Sequence, residues 1–349
     1  MKKLQLALLG MGRMGKTHYR NISQYCTGAS IIAVADPVYE PADGELGSGV
    51  LFLRNPEEAI AHPGVDAVVI ATPTGTHADM VEKAIAQGKA IFCEKPLDLS
   101  LQKTAAIEAM ARKAGVKLML GFNRRFDPDF MQARRSVQEG RIGKVQIIKI
   151  TNRDPALPPI PFLKTSGGLF MDFSIHDFDM ARYITGKNIA EVYARGAALI
   201  DPAVATEAGD IDIALITLVF EDGTWALIDN SRKAVFGYDQ RLEIFGDGGM
   251  IQVGNNLYNH NIISDAAGTH HALPYQSFPE RYAQSYINEI EAFIRSVLED
   301  KEPPATAADS LQATRVAEAA ARSVREGRAV KLSEPCLEPG FTGLKDCCK

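Results

Sequence analysis

Residues 4–18, LQLALLGMGRMGKTH, constrain the fold of this 349-residue chain more than any other stretch. Six mostly apolar residues run into Gly10, further glycines follow at 12 and 15, and helix-compatible residues come next. An apolar run this short reads as a buried strand. The opening MKKLQLALL imitates a leader segment for a few residues but turns into the glycine motif too soon, so it is read as a first strand. Each glycine has its own steric reason. Gly10 permits a tight turn, Gly12 lets the backbone approach a pyrophosphate, and Gly15 lets the helix pack close to the strand. The helix start then turns unpaired N–H groups and a positive dipole end toward phosphates. Asp36 ends the next apolar run, 21 residues past Gly15, where a carboxylate takes the ribose hydroxyls. A tight strand–helix turn beside a surface Asp is the plainer alternative, and it leaves the spacing unexplained. The motif therefore predicts a dinucleotide held by Gly10, Gly12, Arg13, Met14, Gly15 and Asp36. A carboxylate at 36 repels a 2′-phosphate, and Pro37-Val38-Tyr39 offers no Arg to attract one, so NAD is predicted over NADP.

The same rhythm continues. Apolar runs at 30–35, 66–71, 90–93 and 117–121 alternate with helical stretches, among them one capped by Ser100 and ended by Gly115. Alternation of this kind over about 120 residues means a parallel sheet with helices on both faces. After about residue 143 the pattern changes. KVQIIKI, IALITLVF, TWALIDNS, RLEIFG and GMIQVG are strand-like, with turns such as EDG and GDGG between them. One helix near 174–185 interrupts them, and two helices follow, near 280–300 and 306–327. The reading is an α/β chain: a Rossmann domain over 1–122, then an α+β domain over 123–332 with an open, largely antiparallel sheet. The helix near 306–327 is predicted to pack back on the first domain, and 333–349 to form a loose tail.

Composition narrows the partners. A net charge of −5 argues against nucleic acid, which wants a basic surface. The pairs Arg124-Arg125 and Arg134-Arg135 read as solvated, salt-bridged helix faces. No apolar run of about 18 residues exists to span a membrane. The five cysteines lack metal-ligand spacing, so they read as reduced thiols of a cytoplasmic protein, and no metal is predicted. His270-His271 reads as part of a loop, and Trp225 as core.

Further loops carry chemistry. In ATPTGTH (71–77), Thr72, Pro73, Thr74 and His77 follow a strand's carboxyl end, the edge where such sheets bind ligands; for His77 a role capping its own helix is the competing reading. In SGGLFMDFSIHDFDMARY (166–183), Asp172, His176 and Asp179 fall at i, i+4 and i+7, one face of a helix, with Phe173, Met180 and Ile184 facing the core. Three satisfied helix-surface groups would look the same. A neutral imidazole with a carboxylate near it suits proton removal at neutral pH.

CEKPL (93–97), downstream of the glycine motif and T-P-x-x-x-H, resembles the glucose-fructose oxidoreductase and inositol dehydrogenase family, Gfo/Idh/MocA. The resemblance runs from about residue 4 to 332. GFNRRFDPDF (121–130), NRDPALPP (152–159), the 166–183 segment and NSRKAVFGYDQR (230–241) are most similar to inositol 2-dehydrogenases. The resemblance implies hydride transfer from a ring carbinol of a cyclitol to NAD, with a ketocyclitol as product, in a homotetramer assembled through the open sheets. It implies that Lys95 binds the reacting hydroxyl, that His176 is the general base, and that Asp172 orients the network while Asp179 takes another hydroxyl. Glu94 and Asn123 are implied cofactor contacts. Arg124, Arg153, Asp154 and Tyr238 are candidates for the other hydroxyls. The rivals are a same-fold dehydrogenase acting on scyllo-inositol, a deoxy-inositol or an aldose, and a catalytically silent NAD-binding regulator.

Overall fold

The computed structural model describes residues 3–335; the predicted tail, from 336 on, lies outside the described residues. By compactness the described residues divide into two units, one of residues 3–127 with 284–314, the other of residues 128–283 with 315–335.

The first unit carries β1 (Leu4–Leu9), α1 (Arg13–Tyr25), β2 (Ala29–Ala35), β3 (Leu51–Leu53), α2 (Pro56–Ala61), β4 (Ala67–Ile70), α3 (His77–Ala86), β5 (Ala90–Cys93), α4 (Leu101–Ala114) and β6 (Leu118–Leu120). Its six strands are parallel in the order β3-β2-β1-β4-β5-β6. This is the strand order of a Rossmann fold, with its switch point between β1 and β4. β4, AVVI, is buried at every position, as a strand covered on both faces requires. Sequence reading missed β3, an edge strand of three residues with no interior position to mark it. Ser100 caps α4 by accepting from the Lys103 amide, and Gly115 ends it at φ +65°.

The second unit contains α5 (Pro128–Gln138), β7 (Val145–Arg153), α6 (Ile160–Leu163), α7 (Ile175–Thr185), β8 (Ile189–Ala197), β9 (Ile213–Phe220), β10 (Trp225–Ser231), β11 (Asp239–Gly246), β12 (Gly249–Val253), the hairpin β13 (Ile262–Asp265) and β14 (Gly268–His271), and α8 (Phe278–Arg281). Helix α9 (Ala283–Leu298) belongs almost wholly to the first unit, while α10 (Ala307–Glu326) begins in the first and ends in the second, before β15 (Val330–Lys331). The large sheet runs β12-β11-β7-β10-β9-β8-β15. It is antiparallel except at its centre, where β7 and β10 pair in parallel.

Strand alternation gives this sheet two unlike faces. Ile148, Ile150, Ala226, Ile228, Leu242 and Ile244 form the buried face. A polar ladder continues it: Asp177 of α7 accepts from Asn152 Nδ2 and Asn230 Nδ2, each at 2.8 Å, Gln240 Nε2 donates to Asn152, and Tyr282 Oη donates to Gln240. The other face leaves Ile147, Leu215, Leu227, Phe245 and Met250 exposed. Trp225 is among them at 53% exposure, contrary to its reading as core; it opens β10 on the open face. His270-His271 is also corrected: the pair lies in β14, not in a loop, and both are exposed. Arg124 and Arg125 are buried in a short turn, Asn123–Phe126, rather than solvated. Arg125 is paired, with Asp309 at 3.0 Å and the Pro304 carbonyl at 2.7 Å. Arg134 does meet the surface reading, lying over the Tyr183 ring at 4.0 Å. No helix among the described residues is long and apolar enough to cross a membrane.

Candidate active site

The carboxyl ends of the parallel strands gather the first group of residues. Gly10 sits at φ +90°, and a Cβ there would lie 2.7 Å from the Ala71 carbonyl oxygen. A Cβ on Gly15 would lie 1.9 Å from the Gly10 oxygen, so α1 can pack this close only with glycine. Gly12, by contrast, faces open space, with nothing within 4 Å of an added Cβ. It opens α1 without a side-chain cap and with no acidic residue in the first turn. That cradle, bare amides facing empty space, fits a pyrophosphate. Arg13 is exposed and Met14 partly buried there.

Asp36 receives three amides: Met11 N at 2.7 Å, Val38 N at 2.8 Å and Tyr39 N at 2.8 Å. Burial pushes its pKa up, but those three amides and the Arg54 charge outweigh it, and the carboxyl titrates below its ordinary value. Arg54 is the residue that sequence reading overlooked. No Arg follows Asp36 directly, yet Arg54, just past β3, donates to the Tyr39 carbonyl at 2.7 Å and lies over the Phe52 ring.

The next loops serve partly as braces. His77 is buried, with Nδ1 2.8 Å from the Pro96 carbonyl and Nε2 2.8 Å from the Thr72 carbonyl. Both ring nitrogens are engaged by backbone, so His77 ties the 72–76 loop to the Lys95-Pro96 loop instead of offering a nitrogen to the cofactor. Thr74 starts a short turn, Thr74–Thr76, after exposed Pro73. Glu94 also turns inward: Oε1 lies 2.7 Å from His18 Nε2, and an added Cβ on Gly121 would fall 2.9 Å from Oε2. Lys95 is half-buried at the end of β5, before a cis peptide to Pro96. Asn123 is buried, and its Nδ2 has no hydrogen-bond partner. An orphaned amide donor at this strand edge fits a carboxamide acceptor of a nicotinamide.

The second unit assembles its group around Arg232. Its guanidinium is 1% exposed, lies 4.9 Å from the Phe173 ring centre, and donates to Asp172 Oδ2 at 3.0 Å, with Asp154 Oδ2 at 3.9 Å. Asp210 faces the same centre and receives the Leu169 amide at 3.1 Å. Burial raises the Asp210 pKa first; the Asp172 charge adds to that, against the amides of Ile211 and Leu169 and the Arg232 charge. Gly168, at φ +80°, makes this approach possible, since a Cβ there would lie 2.9 Å from Asp210 Oδ1. One buried cation thus gathers the two predicted carboxylates Asp154 and Asp172. Arg232 lies inside the quoted 230–241 segment, and an Arg closing an alternating strand was the available signal.

Asp172 and His176 are partly exposed, as a site requires. Asp179, at i+3 from His176 on the regular turns of α7, is 1% exposed. The predicted α-helical spacing is interrupted before His176: Leu169–Ser174 is a wide π-type turn, so Asp172 does not hold the i, i+4 relation to the residues after it. Phe173, Met180 and Ile184 are buried as predicted. Arg153 falls outside the group. Alternation places it on the open face of β7, opposite Asn152, where it pairs with Asp229 and, at 3.5 Å, with Asp239. Tyr238 is buried edge-on to Tyr282, 6.0 Å between centroids.

Two family models match the chain: an oxidoreductase family's NAD-binding Rossmann fold over residues 4–122 and its C-terminal alpha/beta domain over residues 134–332. An uncharacterized oxidoreductase of Bacillus subtilis, YrbE, is 44% identical over 95% of this chain and 97% of its own length. Inositol 2-dehydrogenase of Rhizobium meliloti is 42% identical over 95% of this chain and 99% of its own. A solved scyllo-inositol dehydrogenase from Lactobacillus casei, with bound NAD(H) and scyllo-inositol, is similar at a TM-score of 0.88 and 32% identity, covering 95% of this chain and 100% of that one.

Proposed function

This chain belongs to the Gfo/Idh/MocA oxidoreductase family, and on that premise we propose that it oxidises a ring hydroxyl of inositol, myo-inositol at carbon 2, to the ketocyclitol. Its cofactor is NAD. The observation that carries the reading is the 42% identity that spans 99% of an inositol 2-dehydrogenase, on a chain whose own sequence has Lys95, Asp172 and His176.

The glycine turn and Asp36 hold the dinucleotide, and the Asn123 amide contacts its nicotinamide end. Bound NAD+ supplies the hydride acceptor. Lys95 binds the reacting hydroxyl and, with His176, receives its proton as the carbon–oxygen double bond forms. Asp172 accepts from the substrate or the proton-carrying groups, and the hydrogen bond from Arg232 Nη1 holds it in place. Asp154 and Arg124 serve the remaining hydroxyls.

We further propose a homotetramer assembled through the open sheets. The apolar outer face, with Trp225, Leu227, Leu215 and Phe245 exposed, supports this, because monomers rarely leave such contiguous patches bare.

NADH production from a panel of cyclitols and aldoses, with NAD+ and NADP+, tests the activity. Turnover of no cyclitol sinks the reading. A scyllo-inositol preference is the second reading, favoured by the likeness to the Lactobacillus casei enzyme, and the same panel separates the two. Lys95→Met is predicted to keep the fold and NAD+ binding and to abolish turnover; near-normal turnover rejects its role.

A further inference from the structure

Three ionisable side chains converge inside the first unit, apart from the groups assigned to substrate: His18 of α1, Glu94 after β5 and Glu289 of α9. Their ligand-type atoms all lie within 4.8 Å of one another. His18 and Glu289 are fully buried, and Glu94 is 8% exposed. The walls are aromatic: the His18 ring meets Phe92 at 5.2 Å and Tyr286 at 6.2 Å, and Phe92 meets Phe293 at 5.9 Å. Gly121 closes over Glu94 Oε2, leaving no room for a Cβ. Glu94 has a partner in His18, at 2.7 Å. Glu289 has none: neither carboxyl oxygen meets a donor, although both are buried.

Two carboxylates are disfavoured from both ionising at this separation in a buried pocket with a single imidazole. Glu94 has the hydrogen-bonded partner, which leaves Glu289 as the group to hold the proton. Burial, and then the Glu94 charge, drive the Glu289 pKa well above the carboxylate range. A divalent cation is the other way to neutralise such a set, and the donor types suit zinc. The direct contact between His18 Nε2 and Glu94 Oε1 favours a proton, because a ring nitrogen that coordinates a metal cannot also hydrogen-bond a carboxylate.

We propose that Glu289 is held as a neutral carboxylic acid and that His18, Glu94 and Glu289 form a positioning cluster for Lys95. The consequence is mechanical. His18 stands on the helix that opens at the glycine turn, Glu94 immediately precedes Lys95, and Glu289 stands on the helix that returns late in the chain. One proton-sharing set therefore fixes the strand end carrying Lys95 relative to the cofactor helix. Within the cluster the neutral acid donates toward the Glu94 carboxylate, directly or through one bridging water. The link to catalysis rests on the role given to Lys95 above; the protonation state does not.

Infrared difference spectra of the full-length protein at neutral pH, wild type minus Glu289→Gln, test the proton. A carboxylic-acid carbonyl band present in wild type, sensitive to deuterium and lost in the variant, is the expected result; its absence overturns the proposal. Zinc bound stoichiometrically in purified protein and lost in Glu289→Gln overturns it as well. Kinetics test the positioning. Glu289→Leu is expected to lower kcat about tenfold to hundredfold, the range for losing one hydrogen bond to a charged group, while the KM for NAD+ changes about threefold or less. Glu289→Gln, neutral and of the same shape, is expected to recover most of that loss. Equal losses in both variants, in proteins whose circular dichroism is unchanged, refute the positioning role. If wild type turns over no cyclitol, the proposed reaction fails, yet the infrared result still decides the protonation.

Discussion

Replacing Asp36 with alanine is predicted to move the chain from NAD toward NADP. In the wild type the carboxylate is fixed by the amides of Met11, Val38 and Tyr39 at 2.7–2.8 Å, and its lowered pKa keeps it ionised throughout the physiological range. A 2′-phosphate must approach that charge. Two unit charges about 4 Å apart repel by about 4 kcal/mol at an effective dielectric constant near 20. Asp36 is partly exposed, so salt and water reduce this to about 2–3 kcal/mol, which is about 30- to 150-fold in relative affinity. Arg54 adds to the effect. Its charge acts on Asp36 in the wild type; it is bonded to the Tyr39 carbonyl and the Glu40 carboxylate, and without Asp36 more of that charge is left to attract a phosphate. The same change leaves three amides without their acceptor, so a stability loss of about 1–2 kcal/mol accompanies it. Fluorescence titration of NADH and NADPH against wild type, Asp36→Ala and Asp36→Ala with Arg54→Ala measures each contribution. The single variant is expected to raise the NADPH:NADH affinity ratio, and the double variant to give part of that rise back. An unchanged ratio in the single variant refutes the ribose role of Asp36. Identical ratios in the two variants refute the part given to Arg54.

Arg232→Met removes the one cation among Asp154, Asp172 and Asp210. Urea melts are expected to show a loss of about 2–4 kcal/mol, below the 3–5 of a fully buried pair because Asp172 is partly exposed, and kcat should fall with NAD+ binding retained; an unaltered kcat argues against any role in orienting Asp172. Leu227→Glu on the open sheet face is expected to shift the particle mass downward in light scattering, whereas an unchanged mass rules that face out as the oligomer contact. Asp239 provides a pH test. Burial would raise its pKa, but hydrogen bonds from Arg241 and Asn255 and the charges of Arg241 and Arg153 hold it below its ordinary value. A depressed folded-state pKa stabilises above the unfolded value and is lost as pH falls through the folded one. Asp239→Asn should therefore cost about 1–3 kcal/mol at pH 7, and the difference from wild type should narrow as the pH is lowered past the ordinary Asp value and through the depressed folded-state one; a gap that stays constant contradicts this.

The strand–turn–helix start of the Rossmann unit was legible because its geometry is written in adjacent residues. Gly10 and Gly15 are required by close backbone approach within one turn, and Asp36 follows the end of the next strand, so linear spacing carries the information. The strand alternation of the second unit was legible too, but not its faces. Trp225 and Ile147 are apolar and open, whereas Asn152 and Asn230 are polar and buried, and only the pairing of β7 with β10 shows which side faces α7. Arg153 was misassigned for this reason: it neighbours Asn152 and Asp154 in sequence yet lies on the opposite side of the sheet from Asn152. The spacing of Asp172 to His176 was not legible either, because no residue from 169 to 174 announces the π-type turn before α7. Arg232, Asp210 and Glu289 were missed because each becomes informative only beside partners distant in sequence.

Among the buried polar groups near the candidate site, some are fully engaged within the chain and others keep an atom without a partner. Asp177 and His77 are wholly taken up. The former binds two asparagine amides from the sheet and the latter two backbone carbonyls, so each holds elements in register. Asn123 and Arg232 differ in kind. Asn123 keeps its amide donor without a partner, and Arg232 keeps Nε and Nη2 so while Nη1 holds Asp172. Leaving a buried donor unmatched costs about 1–3 kcal/mol, an expense that a purely structural position could avoid with an apolar residue of similar size. A donor tolerated at that cost, at a strand edge or beside a partly exposed carboxylate, is poised for an acceptor that arrives from outside the chain. The asparagine stands on the turn after β6 and the arginine just past β10, each beyond the end of a strand, where such an acceptor can approach.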